Sequence, residues 1–167
     1  MINTRSQRRW LNLAGFAAVV GLMAYALFAQ YVQHYEACPL CIFQRVAIIA
    51  VGLVLLLAGL HSPRGIGARV YAVLGVLTAA IGAGISSWHV YLQITPNPPA
   101  CGPGLDYLLD AFGWLGGIRM VFTGSGECAD INWAFLGLSM PAWVLIWFVI
   151  LGTLAIVANW KRLDSRW

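Results

Sequence analysis

Apolar residues along this chain neither alternate at the two-residue period of a half-buried strand nor retreat to one stripe of a helix; they fill long, almost unbroken blocks. Such blocks run from Leu11 to Ala29, Ile42 to Leu60, Val70 to Leu92 and Pro141 to Ala158. At about 1.5 Å per residue, each is long enough to cross a bilayer core of about 30 Å as a helix. The pattern predicts an all-α polytopic membrane protein. One integral membrane domain over residues 1–167 would hold a four-transmembrane-helix bundle, with no sheet and with two loops on one side at about 30–41 and 93–140.

Composition supports this reading. Hydrophobic residues make up 60% of the 167 positions before 18 glycines are counted, and charged residues only 10%, against roughly 25% in soluble domains. Too few polar side chains remain to face water on all sides, which excludes both a soluble domain and disorder and makes the lipid bilayer the surrounding medium. The net charge of +4 raises a nucleic-acid reading, but the basic residues form no stripe, so no nucleic-acid partner is expected. They report topology instead. Arg5, Arg8 and Arg9 precede the first block, Arg64 and Arg69 separate the second from the third, and Lys161, Arg162 and Arg166 follow the fourth. By the positive-inside rule both termini are cytoplasmic and the remaining loops face outward. A competing reading takes the first block as a cleavable leader ending near Ala24-Tyr-Ala26. Its apolar run continues through Ala29, longer than a leader core of about 7–15 residues.

All four cysteines, Cys38, Cys41, Cys101 and Cys128, fall in or at the edge of the outward loops. In an oxidising compartment an even number of such cysteines points to disulfides, and four allow three pairings. Zinc competes, but with Cys101 and Cys128 far apart in sequence and only His34 near the first pair, the spacing does not suit it. Cys38-Pro-Leu-Cys41 stands where the first outward loop enters the second span. With Cys38 as N-cap and Pro39 at the first helical position, both sulfurs sit near unpaired amides and the positive end of the helix dipole. That setting favours thiolate and marks a redox pair. Arg45 follows Cys41 by four residues, one turn deeper on the same face. A cation there is costly; it either snorkels to lipid headgroups or stabilises a thiolate and a reducible ligand.

The second outward connection starts with Thr95-Pro-Asn-Pro-Pro-Ala-Cys-Gly-Pro-Gly104, which cannot be helical and displays Cys101 on an extended segment. Such a segment suits capture in a partner's groove, while a plain Cys101–Cys128 loop disulfide remains an equal alternative. Leu105, Leu108, Leu109 and Phe112, opposite Asp106 and Asp110, predict a short helix on the membrane surface. Small residues four apart in the third block, Ala79 and Ala83, Ala80 and Gly84, Gly82 and Ser86, predict close helix packing. His34, His61 and His89 lie at different depths, which argues against haem between facing histidines. His89 falls near the level of Arg45 and is a candidate for lining a ligand pocket. Exchange between two cysteine pairs only moves electrons around, so net oxidation needs a terminal acceptor. No nucleotide or flavin fingerprint is present, since Gly82-Ala-Gly84 lies inside a span. An acceptor dissolved in lipid fits, and a quinone is the obvious class.

Cys38-Pro-Leu-Cys-Ile-Phe-Gln-Arg45 resembles the redox motif of the disulfide bond formation protein B family, DsbB. So do His89-Val-Tyr-Leu-Gln93, Cys101-Gly-Pro-Gly104, Gly124-Ser-Gly-Glu-Cys128 and Trp133-Ala-Phe-Leu-Gly-Leu-Ser-Met-Pro-Ala-Trp143, in family order over about residues 8 to 160. The resemblance implies a thiol:quinone oxidoreductase of the bacterial inner membrane that reoxidises the periplasmic oxidase DsbA. It further implies that DsbA attacks Cys101 of a Cys101–Cys128 disulfide, that Cys128 exchanges with the Cys38–Cys41 pair, and that Cys41 passes electrons to ubiquinone or menaquinone beside Arg45, Gln44 and His89, with no metal, haem or flavin. The helix dipole does not choose between Cys38 and Cys41 as the quinone-facing sulfur; the four-residue link to Arg45 favours Cys41. Two other readings are a quinone reductase similar to vitamin K epoxide reductase, whose motif order differs, and a non-enzymatic membrane protein stapled by two disulfides.

Overall fold

The computed structural model describes residues 4–35, 38–95, 110, 113 and 133–160. Cys101, Cys128 and nearly all of the surface-helix segment expected around residues 105–112 lie outside the described residues. Within them the four apolar blocks form four helices: α1 Thr4–Tyr31, α2 Pro39–His61, α3 Ile66–Ile94 and α4 Met140–Asn159. All four are long and apolar enough to cross a membrane, and each is longer than the apolar block that announced it. The extensions take in flanking arginines and turn residues, which can continue a helix beyond the apolar core.

Two helix starts follow from local chemistry. Cys38 has extended backbone and caps α2, with Pro39 occupying the first turn, where its missing N–H costs nothing. Ser139 has the same extended backbone before α4, with Pro141 in the first turn, but its hydroxyl accepts no capping bond from its own helix and instead donates to Gln93 Oε1 at 2.6 Å. That bond joins the start of α4 to the end of α3.

α4 packs most extensively on α3. The stripe Ala68, Ala72, Gly75, Ala79, Gly82, Ser86, His89 is buried at spacings of three and four, and the small residues let the backbones close. A Cβ on Gly82 would come within 2.2 Å of the Phe148 ring. Of the predicted small-residue pairs, Ala79–Ala83 and Gly82–Ser86 face the bundle, whereas Ala80 and Gly84 are exposed. α1 is built into the same core: Val19 packs with Val51, Leu55 and Phe148, and a Cβ on Gly52 of α2 would lie 2.8 Å from Val19. At the far end from the cysteines, Asn12 and Asn159 exchange amide hydrogen bonds of 3.1 and 3.0 Å, with further bonds to Arg8 O and Ala155 O. Buried amides in an apolar bundle need this complete pairing.

One element departs from the helix-only expectation. β1 (Ala134–Phe135) and β2 (Leu138–Ser139) form an antiparallel hairpin immediately before α4. Its two turn residues, Leu136 and Gly137, both have positive φ, the geometry that two-residue hairpins require. Two-residue strands are too short to show alternation, so the pattern carried no signal.

Candidate functional site

The site begins at the cap of α2. Cys38 Sγ accepts from the Cys41 N–H at 3.3 Å and lies 2.8 Å from Cys41 Sγ. That separation is shorter than ordinary sulfur contact and longer than a bond of about 2.05 Å, so little motion separates the dithiol from the disulfide. Both cysteines are half-buried. The helix terminus that the motif predicted is therefore present, and its amide points at Cys38 sulfur.

The two sulfurs face different surroundings. Cys41 joins Gln44 and Arg45 in the wall of a cavity of about 290 Å³ formed between α1, α2 and α4, to which α3 contributes nothing. Tyr25, Trp133, Phe135, Trp143 and Trp147 supply most of its aromatic surface. Their rings support one another: Tyr25 meets Trp133 edge-on at 6.3 Å, and Phe135 lies 6.1 Å from both Trp133 and Trp143. Trp143 Nε1 also donates to Phe135 O at 3.1 Å, clamping the hairpin over the start of α4. The hairpin is thus one wall of the cavity.

Arg45 is half-buried on the cavity wall, and its guanidinium donates to Gln30 Oε1 and, at 3.3 Å, to Ala26 O. Both acceptors belong to α1. A guanidinium carries five N–H donors in a fixed plane, so bonding two of them to α1 aims the group without exhausting it. The snorkelling alternative is set aside by these partners, which hold the cation inside the bundle. Gln30 and Ala26 escaped the sequence reading because only the docking of α1 against α2 brings them to Arg45; the weak signal was a lone glutamine at the end of an apolar span.

His89, expected to line the ligand pocket, sits beside two residues of the cavity wall, Cys41 and Gln44. It is 2% exposed, with Nε2 3.7 Å from Cys38 Sγ and Nδ1 3.3 Å from Gln44 Nε2. It packs against Cys38 and Gln44 and is not among the residues that line the cavity. Depth along the span was legible in sequence, but rotation of α3 was not. The usable signal was the stripe Gly75, Ala79, Gly82, Ser86, which His89 continues at the next three-residue step. His34 is exposed in the α1–α2 connection and His61 pairs with Tyr71 at the opposite end of α2, so the three histidines share no common centre.

The donor atoms of Cys38, Cys41 and His89 lie within 4.8 Å of one another, bringing the histidine that the sequence spacing lacked for a soft cation. Sulfurs 2.8 Å apart would subtend only about 75° at a zinc ion bound at about 2.3 Å, far below the tetrahedral angle. As placed, the two sulfurs have the separation of a pair ready for sulfur–sulfur exchange.

A vicinal dithiol at a helix N-terminus, opening on an aromatic cavity within four membrane-spanning helices, defines a membrane-embedded thiol redox protein. Comparison with known proteins agrees. The family model for disulfide bond formation protein DsbB matches residues 8–158. Relatives called disulfide bond formation protein B include those of Nitrosococcus oceani, 46% identical over 89% of both chains, and Xanthomonas campestris, 46% identical over 92% of this chain and 91% of the relative. Another, from Azoarcus, is 44% identical over 99% of both. The chain belongs to the DsbB family, and is a multi-pass membrane oxidoreductase of disulfide bond formation.

Proposed function

We propose that the protein draws electrons from a periplasmic DsbA-like dithiol protein through Cys101 and Cys128, receives them at Cys38 and Cys41, and delivers them to a quinone of the bacterial inner membrane. The observation that carries this reading is that Cys41 and Arg45 share the wall of one aromatic cavity between membrane helices. A flat, apolar ring with polar oxygens fits such a wall: aromatic side chains cover its faces, while Gln44 and Arg45 offer N–H groups to an oxygen. When bound, a quinone supplies an acceptor for two electrons and two protons.

The residues of this chain do the rest. The α2 terminus stabilises negative charge on Cys38, and Arg45 places a positive charge where negative charge develops in the cavity. Tyr25 and the three tryptophans keep water from the reacting sulfur. The charge distribution supports cytoplasmic termini and periplasmic cysteines, which gives Cys101 access to a periplasmic partner and leaves the cavity within the bilayer.

The test is to mix the purified protein with a reduced DsbA-like protein and a soluble quinone, and to follow thiol loss and quinone absorbance together. Equimolar loss of partner dithiol and quinone is expected. Dithiol loss that does not depend on quinone, or none at all, would refute the route.

A further inference from the structure

We propose that His89 is the acid–base partner of Cys38, taking the thiol proton at Nε2 when the cysteine pair closes and returning it when the pair opens, with Gln44 setting which ring nitrogen carries the proton. The inference rests on the reading of Cys38 and Cys41 as a redox pair, and only its final acceptor rests on the quinone proposal.

The two cysteines are not equivalent. Cys41 is part of the cavity wall and Cys38 is not. Closing the pair removes two electrons and two protons from two thiols and forms one sulfur–sulfur bond; a quinone that takes both electrons becomes a quinol with two protons, the one from Cys41 and one drawn from solvent in exchange for the Cys38 proton held on His89. The Cys41 proton starts at the cavity. The Cys38 proton starts on a sulfur that is not part of that wall, and a base must receive it there before Cys38 sulfur can attack, because the thiolate and not the thiol is the nucleophile.

His89 Nε2, 3.7 Å from that sulfur, is positioned for this transfer. The ring is buried, and its other nitrogen meets the side-chain amide of Gln44 at 3.3 Å. With the amide nitrogen toward Nδ1, the imidazole carries its proton on Nε2 and donates it to the sulfur, the arrangement that holds a thiolate. With the amide turned over, Oε1 accepts from Nδ1–H and leaves Nε2 bare to take the thiol proton. A flip of one amide thus switches the ring between donor and acceptor. Gln44 itself reaches the cavity wall, so the chain Cys38, His89, Gln44 links the hidden sulfur to the cavity around Cys41.

Few charges bear on this pair. The four helices contain no Asp, Glu or Lys. From the start of α2, Cys38 and Cys41 face the imidazole; α1 and α4 bring no acidic group, and the Arg45 guanidinium is held on the α1 side by Gln30 and Ala26 O.

The experiment is pulse alkylation of the reduced full-length protein in detergent, without quinone or partner, from about pH 5 to about pH 9.5, with label at Cys38 and label at Cys41 distinguished by fragment ions of the peptide that carries both. In the unmodified protein the Cys38 rate should rise in two steps, one for each member of a coupled thiol–imidazole pair. In His89→Ala it should rise in one, be about tenfold slower at neutral pH and converge with the unmodified rate when the thiol is fully ionised. Gln44→Leu should fall between. A single step in the unmodified protein, or a His89→Ala rate reduced equally at every pH, would overturn the assignment. The first measurement needs no variant to fold, and neither involves quinone, so failure here and failure of the quinone reading are separate results.

Discussion

Replacing Arg45 by Met removes the cavity's cation while keeping a side chain of similar reach. Two unit charges 4 Å apart interact by about 4 kcal/mol at an effective dielectric constant near 20. Arg45 is half-buried and shares its N–H groups with Gln30 and Ala26 O, so screening and competition reduce what reaches a ligand oxygen to about 1.5–3 kcal/mol. That corresponds to roughly ten- to hundredfold in rate. Because a neutral ligand gains negative charge only as electrons arrive, turnover should fall as well as the apparent KM rise. Exchange between Cys101 and the partner should be largely intact. Lys at this position should rescue only in part, since an ammonium cannot bond two acceptors on α1 and still present a planar edge to the cavity. The assay is steady-state oxidation of reduced partner over a range of quinone concentrations in detergent. Unchanged quinone dependence in Arg45→Met would refute the electrostatic reasoning and reduce the arginine to a clamp on α1.

Cys101 should react with an impermeant thiol reagent in intact spheroplasts after reduction; protection until the membrane is lysed would reverse the topology. Cys128→Ala should leave Cys101 without its resolving thiol and let a mixed disulfide with the DsbA-like partner accumulate on a non-reducing gel. Dependence of that band on Cys38 instead would invert the order of the pairs. Gly82→Ala should destabilise the bundle by about 1–3 kcal/mol or more, because its Cβ would meet the buried Phe148 ring at 2.2 Å; Gly84→Ala, with nothing within 4 Å, should be neutral, and equal thermal stability of the two variants would contradict the α3–α4 packing.

Properties carried by neighbouring residues were legible in the sequence. The four spans follow from uninterrupted apolar blocks, because lipid demands helices whose backbone groups are satisfied internally. The cap at Cys38 follows from a proline at the next position, and the shared placement of Cys41 and Arg45 from a four-residue step, both set by the helical repeat within α2. What one helix presents to another was decided only by tertiary packing. The rotation of α3 is governed by the fit of Gly82 against Phe148 and Gly75 against Ala155, contacts between residues more than sixty positions apart, and that rotation sets His89 against Cys38 and Gln44. The docking of α1 likewise supplies Gln30 and Ala26 to Arg45, and the hairpin turns Trp133 and Phe135 into a wall. Depth in the membrane is a property of position along the chain, but azimuth is a property of the pair of surfaces that meet, and no single segment contains both.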